Sequence, residues 1–472
     1  MKNLINVLLL LLTTNNLSFS QCFSKISAGG PTSSAINPDG SIYTWGNGSL
    51  GSGALGLGHF DDVLTPTQVI AFNNCQNVST GAANTFIIKN NGTLWGAGSD
   101  AYSELGDGYH GLGYNVPNFI QVGTATNWKQ VSANELFVAG LKTNGTIWTW
   151  GINDVGQLGN GSGANQYVPT QVGTATNWKK VVTTAAAILA LKTDGSLWAW
   201  GANPELGIDD SSVQGSLVPI QVGSFNGGTF TDYQDIASGA QSRIILAIRN
   251  NGQLWAWGTS YLGNFGGLGQ GTNVGGLFRP TRIGTDSNWA FIAVGTYSSY
   301  AIKTDGTLWA WGGNSFGQVG DGTTIARGYP VQIGTDTNWA SVAGGYGFAN
   351  ALKTDGSLWT WGDATYGQLG VGSYTSSLVP VPIAVAGCNL ANESFTVQSE
   401  RFVISPNPTK NTLTITNTAN IKEINIYNTL GQLLQTFTQP SKTIDVSNLQ
   451  SGNYFMKIVT ESGVGIEKFI KE

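Results

Sequence analysis

Few residues in this chain have the types and spacing that catalysis requires. The chain contains two histidines, His59 and His110, and three cysteines, Cys22, Cys75 and Cys388. These residues are too scattered to match the spacing of a metal-ligand cluster. No cysteine and histidine among them suggest a nucleophile with its base. The sequence therefore predicts no catalytic residue, no metal site and no cofactor.

Two pairs of adjacent carboxylates remain as candidates, because a pair of carboxyl groups can act as acid and base. The pairs are Asp61-Asp62 and Asp209-Asp210. Each pair follows a Leu-Gly dipeptide, Leu55-Gly56 or Leu206-Gly207, which ends an element that recurs along the chain and is here called the Leu-Gly element. The segment after it is predicted to be a loop, where neighbouring carboxylates are usually solvated. We therefore expect no catalysis from either pair, and no loop carries the alternating aspartates of a strong calcium site.

The candidates are positioned by a stretch of about ten residues that occurs seven times. Its clearest copy runs from Lys192 to Gly201 and reads Lys-Thr-Asp-Gly-Ser-Leu-Trp-Ala-Trp-Gly. An Asp-Gly pair between apolar runs predicts a two-residue β-hairpin turn with both central residues at positive φ. The turn glycines are spaced by 52, 53, 50, 57, 54 and 50 residues, which indicates a repeat architecture: Gly40, Gly92, Gly145, Gly195, Gly252, Gly306 and Gly356.

Two further elements recur after each hairpin. A Gly-Gln-Leu-Gly element is intact at 156–159 and 367–370. One proline per repeat follows, and it marks an outermost strand because proline cannot donate a ladder hydrogen bond: Pro66, Pro117, Pro169, Pro219, Pro280, Pro330 and Pro380. About four short antiparallel strands per repeat predict an all-β chain whose sheets are arranged radially, as in a β-propeller.

The hairpin and Gly-Gln-Leu-Gly elements resemble those of the RCC1 repeat family, from residue 23 to about 386. The resemblance implies a seven-bladed β-propeller, to which we assign residues 21–388. All 16 tryptophans fall at repeated positions, which indicates packing between blades.

The first residues predict an export signal. Lys2, an apolar core over 4–12 and the small residues of Ser18-Phe19-Ser20 are typical of a signal peptide, here residues 1–20. The core is too short for a membrane span, and we expect no transmembrane segment elsewhere. Lipid attachment at Cys22 stays an alternative, although Gln21 fits such a site poorly.

An exported protein can form disulfides. Cys22 opens the first repeat and Cys388 follows the last, so the two would be neighbours in a closed ring. We hypothesise a Cys22–Cys388 disulfide, with Cys22–Cys75 as the competing pairing. Without a partner, Cys75 is expected to be a small buried residue.

The composition changes after Cys388. Residues 389–400 are interpreted as a linker, and 401–472 alternate apolar and polar residues in about seven short strands, which predicts a small β-sandwich. Its motifs resemble the type A C-terminal sorting domain of the type IX secretion system: Ser405-Pro406-Asn407-Pro408, Ile424 to Gly431, Ser451-Gly452-Asn453-Tyr454 and Lys468 to Lys471. The resemblance implies a Bacteroidetes-type bacterium, handling by the type IX machinery, and a secreted or outer-membrane-surface protein. The alternative is a plain β-sandwich binding module.

The charge balance argues against nucleic acid as a partner. The chain has a formal net charge of −5, and residues 21–388 contain 14 Lys and Arg against 20 Asp and Glu. Aromatic residues outside the repeat positions fall in loops after the hairpins and are the candidate partner-binding residues: Tyr102, Tyr109, Tyr261, Phe265, Phe316 and Tyr366. Aromatic residues among Asn, Ser and Gly favour recognition of a protein or glycan, although some of these rings could only cover blade edges.

These observations favour a binding protein, expected to be monomeric, that holds an extracellular protein or glycan on a loop face. One alternative is an inhibitor of an extracellular enzyme, because the chain is similar in outline to secreted bacterial RCC1-like propellers that inhibit β-lactamases. Another is a propeller carbohydrate-active enzyme, for which the sequence shows no acid or base. Export and acidic charge argue against the nucleotide exchange of nuclear RCC1 proteins.

Overall fold

The computed structural model describes residues 23–50, 52–109, 114–210, 212–225, 228–259, 266–384, 402–416, 421–428, 433–438, 442–460 and 464–472. Within these ranges the regular structure consists of β-strands only. The described residues contain no helix that is long and apolar enough to cross a membrane. The chain separates into two compact units, Met1–Asn389 and Leu390–Glu472.

The described residues of the first unit form seven four-stranded antiparallel sheets, here blades 1 to 7, each built from consecutive strands. Blade 1 has β1 (Lys25–Gly29), β2 (Thr32–Ile36), β3 (Ile42–Gly46) and β4 (Val63–Gln68). Blade 2 has β5 (Cys75–Thr80), β6 (Asn84–Lys89), β7 (Leu94–Ser99) and β8 (Asn115–Gln121). Blade 3 has β9 (Trp128–Ala133), β10 (Phe137–Lys142), β11 (Ile147–Gly151) and β12 (Gln166–Gln171).

Blade 4 has β13 (Trp178–Thr183), β14 (Ala187–Lys192), β15 (Leu197–Ala202) and β16 (Gly215–Gln221), and a short hairpin of β17 (Ser224–Phe225) and β18 (Gly228–Thr229) follows it. Blade 5 has β19 (Tyr233–Ala237), β20 (Ile244–Arg249), β21 (Leu254–Thr259) and β22 (Gly276–Arg282). Blade 6 has β23 (Trp289–Val294), β24 (Ser298–Lys303), β25 (Leu308–Gly312) and β26 (Arg327–Gln332). Blade 7 has β27 (Trp339–Gly344), β28 (Phe348–Lys353), β29 (Leu358–Gly362) and β30 (Ser377–Pro382).

The repeated Asp-Gly turn joins the second and third strands, but its predicted geometry was wrong. Gly195 has a positive φ of 79°, whereas Asp194 does not. The Gly195 amide donates to the Lys192 carbonyl (3.1 Å), and Lys192 N donates to Ser196 O (2.9 Å). The connection is therefore a three-residue loop, a turn closed by one left-handed glycine. The aspartate caps it, because Asp194 Oδ1 accepts a hydrogen bond from Ser196 N (2.9 Å).

The order of strands within a blade runs from the centre of the ring outwards. The first strands line a central cavity of about 190 Å³, which is walled mainly by small side chains such as Ser27, Ser79 and Ser132. The fourth strands, which carry the repeated prolines, lie at the outer edge of each sheet. The prediction that proline marks the outermost strand is confirmed.

Adjacent blades are joined by a tryptophan and a glycine. Trp150 of blade 3 is buried, and its Nε1 donates to the Glu104 carbonyl oxygen of blade 2 at 2.7 Å. Gly106, at the end of the Leu-Gly element, lies against the same ring, where a Cβ would come within 2.8 Å of Trp150. Glycine is needed there both for its positive φ and for this close approach.

Blade 2 departs from this pattern, because Ala97 stands where most other blades carry the second tryptophan. The ring of Phe119 fills the space, and a Cβ on Gly56 of blade 1 would lie 2.1 Å from it. The contact between blades 1 and 2 is thus kept by an aromatic side chain from the fourth strand instead of the third.

A matching backbone hydrogen bond of 2.8–3.0 Å on the loop side joins each blade to the next, and the seventh closes the ring. The bonds are Gly58 N to Pro117 O, Gly108 N to Tyr167 O, Gly161 N to Leu217 O, Asp209 N to Phe278 O, Gly271 N to Gly328 O, Gly322 N to Leu378 O and Gly372 N to Leu64 O. The first and last blades are therefore held together by the same interaction as every other pair.

The second unit is a β-sandwich of two antiparallel sheets in the described residues, as predicted. One sheet contains β31 (Val403–Ser405), β32 (Thr412–Thr416) and β35 (Thr443–Asp445). The other contains β33 (Ile421–Asn428), β34 (Leu433–Thr438), β36 (Gly452–Thr460) and β37 (Val464–Lys471). Alternate residues such as Ile424, Ile426 and Ile458 are fully buried between the sheets.

Candidate functional site

The two ends of the propeller differ in what they present. One end, here the loop face, carries the turns between first and second strands and the long loops between third and fourth strands. The other end, here the hairpin face, carries the Asp-Gly turns and the connections from one blade to the next. Function on a rigid scaffold is usually carried by such long loops.

The described candidate aromatic residues all belong to the long loops and therefore share the loop face. Tyr102 is 41% exposed, Tyr109 is 54% exposed and Phe316 is 41% exposed, while Tyr366 is partly exposed. Tyr261 and Phe265 lie outside the described residues. Tyr109 packs against Tyr114 (ring centroids 4.6 Å apart), but no ring contact among the described residues joins this pair to Phe316.

Phe316 belongs to a cluster that the sequence did not reveal. Its ring lies 6.4 Å from that of Tyr346, which in turn contacts Tyr297 at 5.5 Å. Tyr297 and Tyr346 come from the first turns of blades 6 and 7, close to the ring axis. The three rings therefore lead from an outer loop towards the centre of the loop face.

The cluster ends at a cavity of about 260 Å³, here the mouth cavity. Its walls are turn residues of blades 3 to 7: Asn134, Glu135, Leu136, Ala185, Gln241, Arg243, Thr296, Tyr297 and Tyr346. Two of these side chains are aromatic and five are polar or charged, and polar groups that converge beside aromatic rings can hold a ligand.

The polar groups of the mouth cavity are paired in two sets. Glu135 Oε2 accepts a hydrogen bond from Gln241 Nε2 at 2.7 Å. Arg243 forms an ion pair with Glu205 (Nη1 to Oε1, 2.9 Å), and the Glu205 side chain is completely buried. Burial raises the pKa of Glu205 to about 7, although the Arg243 guanidinium acts in the opposite direction.

Sequence reasoning missed Glu135, Tyr297 and Tyr346 because it searched the long loops and not the first turns. The first turns of blades 1, 2 and 4 hold small residues, such as Gly81-Ala82-Ala83 and Thr184-Ala185-Ala186. A residue-by-residue alignment of the seven repeats at this turn would have shown the large side chains of blades 3, 5, 6 and 7.

The longest repeat, from Gly195 to Gly252, has two extra segments, at 209–214 and 224–231, and they lie at opposite ends of the propeller. Residues 209–214 belong to the long loop of blade 4 and so to the loop face. Residues 224–231 contain β17 and β18 and connect blade 4 to blade 5 on the hairpin face. Only the segment 209–214 therefore lies on the loop face, where the mouth cavity opens.

The candidate acid–base groups have separate structural partners. Asp62 Oδ1 accepts hydrogen bonds from Gly48 N and Ser49 N, both at 2.9 Å. Asp209 pairs with Arg279 (3.2 Å), and Asp210 accepts a hydrogen bond from Ser212 N (2.9 Å). Neither adjacent pair has its carboxyl groups directed to a common point by these contacts.

The central cavity and the histidines add no catalytic arrangement in the described part of the chain. Lys180 is the titratable side chain in the cavity's described lining, and it pairs with Asp235 at 2.5 Å. His59 Nδ1 lies 3.5 Å from Asp61, and His110 lies outside the described residues. Among the described residues no three His, Cys, Asp or Glu side chains are grouped as metal ligands.

The hypothesised disulfide lies outside the described residues, since Cys22 and Cys388 both do. Phe23, which follows Cys22, and Ile383 pack in one buried cluster with Trp45 and Leu358. Cys75 is buried and free among the described residues, and burial raises its pKa to about 11. The disulfide and its competing pairing with Cys75 stay predictions.

The fold and the repeated contacts define a propeller of the RCC1-like class with an added β-sandwich. The chain matches the family described as the RCC1-like domain over residues 111–405, and the regulator of chromosome condensation (RCC1) repeat over 39–88. It therefore belongs to the RCC1-like domain family. Residues 403–472 match the secretion system C-terminal sorting domain, which indicates secretion or surface attachment through the type IX system and handling by its machinery.

Solved structures support the same fold. Human WBSCR16 is 19% identical, with a TM-score of 0.63, over 73% of this chain and 95% of that one. Yeast RCC1 (Prp20), in a complex with Kap60, is 21% identical with a TM-score of 0.62, over 78% of this chain and 86% of that one.

Three curated relatives each match less than a third of this chain. The E3 ubiquitin-protein ligase HERC2 of Homo sapiens is 33% identical over 27% of this chain and 3% of its own length. The secretion-regulating guanine nucleotide exchange factor of Bos taurus is 28% identical over 28% of each chain. The ultraviolet-B receptor UVR8 of Arabidopsis thaliana is 29% identical over 27% of this chain and 29% of its own length. The chain thus spans less than a third of these relatives.

Proposed function

We propose that this protein is a secreted or surface-attached binding protein that holds an extracellular protein partner on the loop face of its propeller. The observation that carries the proposal is the mouth cavity, which is joined to the exposed ring of Phe316 through Tyr346 and Tyr297. The sorting domain at residues 403–472 supports its place outside the cell.

The tryptophans that recur in the blades hold the ring together. Binding of a partner is therefore left to aromatic residues that do not recur. Five buried tryptophans of the described residues donate hydrogen bonds to the neighbouring blade, as Trp257 does to Glu205 O at 3.0 Å. The aromatic residues of the loop face fall outside this pattern, and Tyr346 is 38% exposed. Exposed aromatic side chains around a cavity are typical of a surface that binds another protein.

An inhibitor of an extracellular enzyme is the second candidate, because a face built from the long loops of the blades can cover another protein's active site. A carbohydrate-active enzyme is less favoured, since the described lining of the central cavity offers one titratable side chain, already paired with Asp235. We propose that the protein acts as a monomer, without a cofactor and without nucleotide-exchange activity, in a Bacteroidetes-type bacterium.

The first test is to determine the mass and location of the native protein. A secreted or surface form that spans about residues 21 to 390–400 would identify the propeller as the working module. A full-length periplasmic form would contradict export by the sorting domain.

The second test uses the exported form as bait for purified extracellular proteins of the host. Capture should be lost in a Phe316→Ala, Tyr346→Ala double variant and kept in a hairpin-face variant, Asp305→Asn. Loss of a captured enzyme's activity would distinguish an inhibitor from a simple binder. Equal capture by both variants would contradict binding at the loop face.

A further inference from the structure

The loop face is strongly acidic. Three arginines lie at this end of the propeller, and each is paired with a loop carboxylate: Arg243 with Glu205, Arg279 with Asp209 and Arg327 with Asp321. Among the described residues, six exposed or partly exposed carboxylates of this face have no lysine or arginine partner: Asp61, Asp62, Asp107, Glu135, Asp154 and Asp210. The long loops themselves contain no lysine or arginine.

The repeated cations lie at the opposite end, next to the Asp-Gly turns. Lys142 Nζ, for example, lies 3.5 Å from the ring centroid of Trp148 and 4.7 Å from that of Trp128. The same arrangement occurs at Lys192, Lys303 and Lys353. The two faces therefore differ in sign, and the field above the loop face attracts positively charged partners.

The mouth cavity is suited to one cationic side chain. Glu135 is partly exposed at its wall, and its Oε2 is held by Gln241. Arg243 is held by the buried Glu205 (Nη1 to Oε1, 2.9 Å), and Glu135 is the one carboxylate in the described lining of the cavity. Tyr297 and Tyr346 add aromatic surface, which can pack on the stem of a lysine or the plane of a guanidinium.

We propose that the partner of the loop face is a basic protein, and that one of its lysine or arginine side chains enters the mouth cavity and pairs with Glu135. This inference rests on the proposed binding function and names the chemistry of its partner. The acidic loops attract the basic surface, and the cavity fixes its position through a charge-assisted hydrogen bond.

The test uses the full mature protein and two fluorescent probes, an octalysine and an octaglutamate peptide, with anisotropy as the readout. We expect octalysine to bind, with an affinity that falls as salt rises from 50 to 200 mM, and octaglutamate not to bind. Glu135→Gln should weaken octalysine binding about tenfold, because it removes the charge while keeping the shape. Asp355→Asn, a matched charge removal on the hairpin face, should leave binding unchanged.

A second variant keeps the inference testable if Glu135→Gln alters the fold, which a melting curve would show. Tyr346→Leu removes the aromatic wall at the cavity and should also weaken octalysine binding. Binding of octaglutamate, or equal losses in the loop-face and hairpin-face variants, would overturn the inference. If bait experiments capture nothing while octalysine binding follows the loop-face variants, the proposed function fails and the cationic preference stands. If the bait captures only acidic proteins, the proposed function stands and the cationic preference fails.

Discussion

Trp45 Nε1 donates a hydrogen bond to the Gln368 carbonyl oxygen at 3.0 Å, across the boundary between the first and last blades. The same contact joins Trp361 to Gln318 at 2.8 Å between blades 7 and 6. The ring is therefore closed by interactions of the same kind as those that hold its other blades together, without any need for a covalent link.

The closing hydrogen bond should matter as much as an internal one. Trp45→Phe and Trp361→Phe each remove a buried indole donor from a carbonyl oxygen that keeps one other hydrogen bond, from Ser33 Oγ to Gln368 O and from Tyr300 Oη to Gln318 O, both at 2.8 Å. We expect each to lower the free energy of unfolding by about 1 kcal/mol more than Trp200→Phe, because Trp200 Nε1 has no partner among the described residues. Urea denaturation of the three variants measures this, and a much smaller effect at Trp45 than at Trp361 would show that the closing interface is weaker.

The glycine of the Leu-Gly element should tolerate no side chain. A Cβ on Gly370 would lie 2.6 Å from Trp45 Nε1, whereas on Gly372 its nearest contact is Thr65 at 3.7 Å. Both glycines have positive φ, 71° and 78°, so the backbone strain of an alanine is shared. We expect Gly370→Ala to cost about 1–3 kcal/mol more than Gly372→Ala, which isolates the clash with the ring. Equal melting temperatures would contradict this explanation.

Asp100 should make stability fall as the pH rises. Its side chain is buried, Oδ2 has no hydrogen-bond partner among the described residues, and burial raises its pKa to about 7. Because an unfolded aspartate titrates near about 3.9, the folded state binds the extra proton between about pH 4 and 7. The free energy of unfolding therefore decreases through that window.

Asp100→Asn should remove this contribution. The equivalent Asn153 uses Nδ2 to donate to Ser162 O (2.7 Å) and Ala164 O (3.0 Å), a role that a carboxylate cannot fill. We expect the variant to be more stable than the wild type at pH 8 by about 1–3 kcal/mol, with a smaller difference at pH 5.

Asp363→Asn is the control, because Asp363 Oδ2 already accepts a hydrogen bond from Gln368 Nε2 at 2.9 Å and no gain is expected. A gain independent of pH would contradict the protonation argument.

A peptide map under non-reducing conditions should contain a Cys22–Cys388 link. Phe23 and Ile383, which lie near the two cysteines in sequence, share one buried cluster. In the chain-entropy model a loop this long would stabilise by about 6 kcal/mol. A Cys22–Cys75 link, or a free Cys388 thiol, would contradict the prediction.

The sequence predicted the parts of the fold that repeat. Turn glycines at regular spacing and one proline per repeat established the blades and their outer strands, because these residues meet backbone requirements that are the same in every copy. The turn type was wrong, since Asp194 caps the turn with its side chain instead of adopting positive φ.

The candidate site was predicted only in part. Phe316 was found because it stands in a long loop, whereas Tyr346 and Glu135 stand in short turns that look like ordinary connections in the sequence. Their importance depends on position near the ring axis, where turns from different blades surround one cavity. Contacts between residues so far apart in the chain cannot be inferred from local patterns.

The seven matching hydrogen bonds between blades have a consequence for how the gene could be rearranged. Since every one of the seven interfaces contains this hydrogen bond, the present order of blades along the chain is one of seven that would give the same ring. A circular permutant that joined residues near Phe23 and Ile383, and opened the chain at any Asp-Gly turn on the hairpin face, should retain the loop face unchanged.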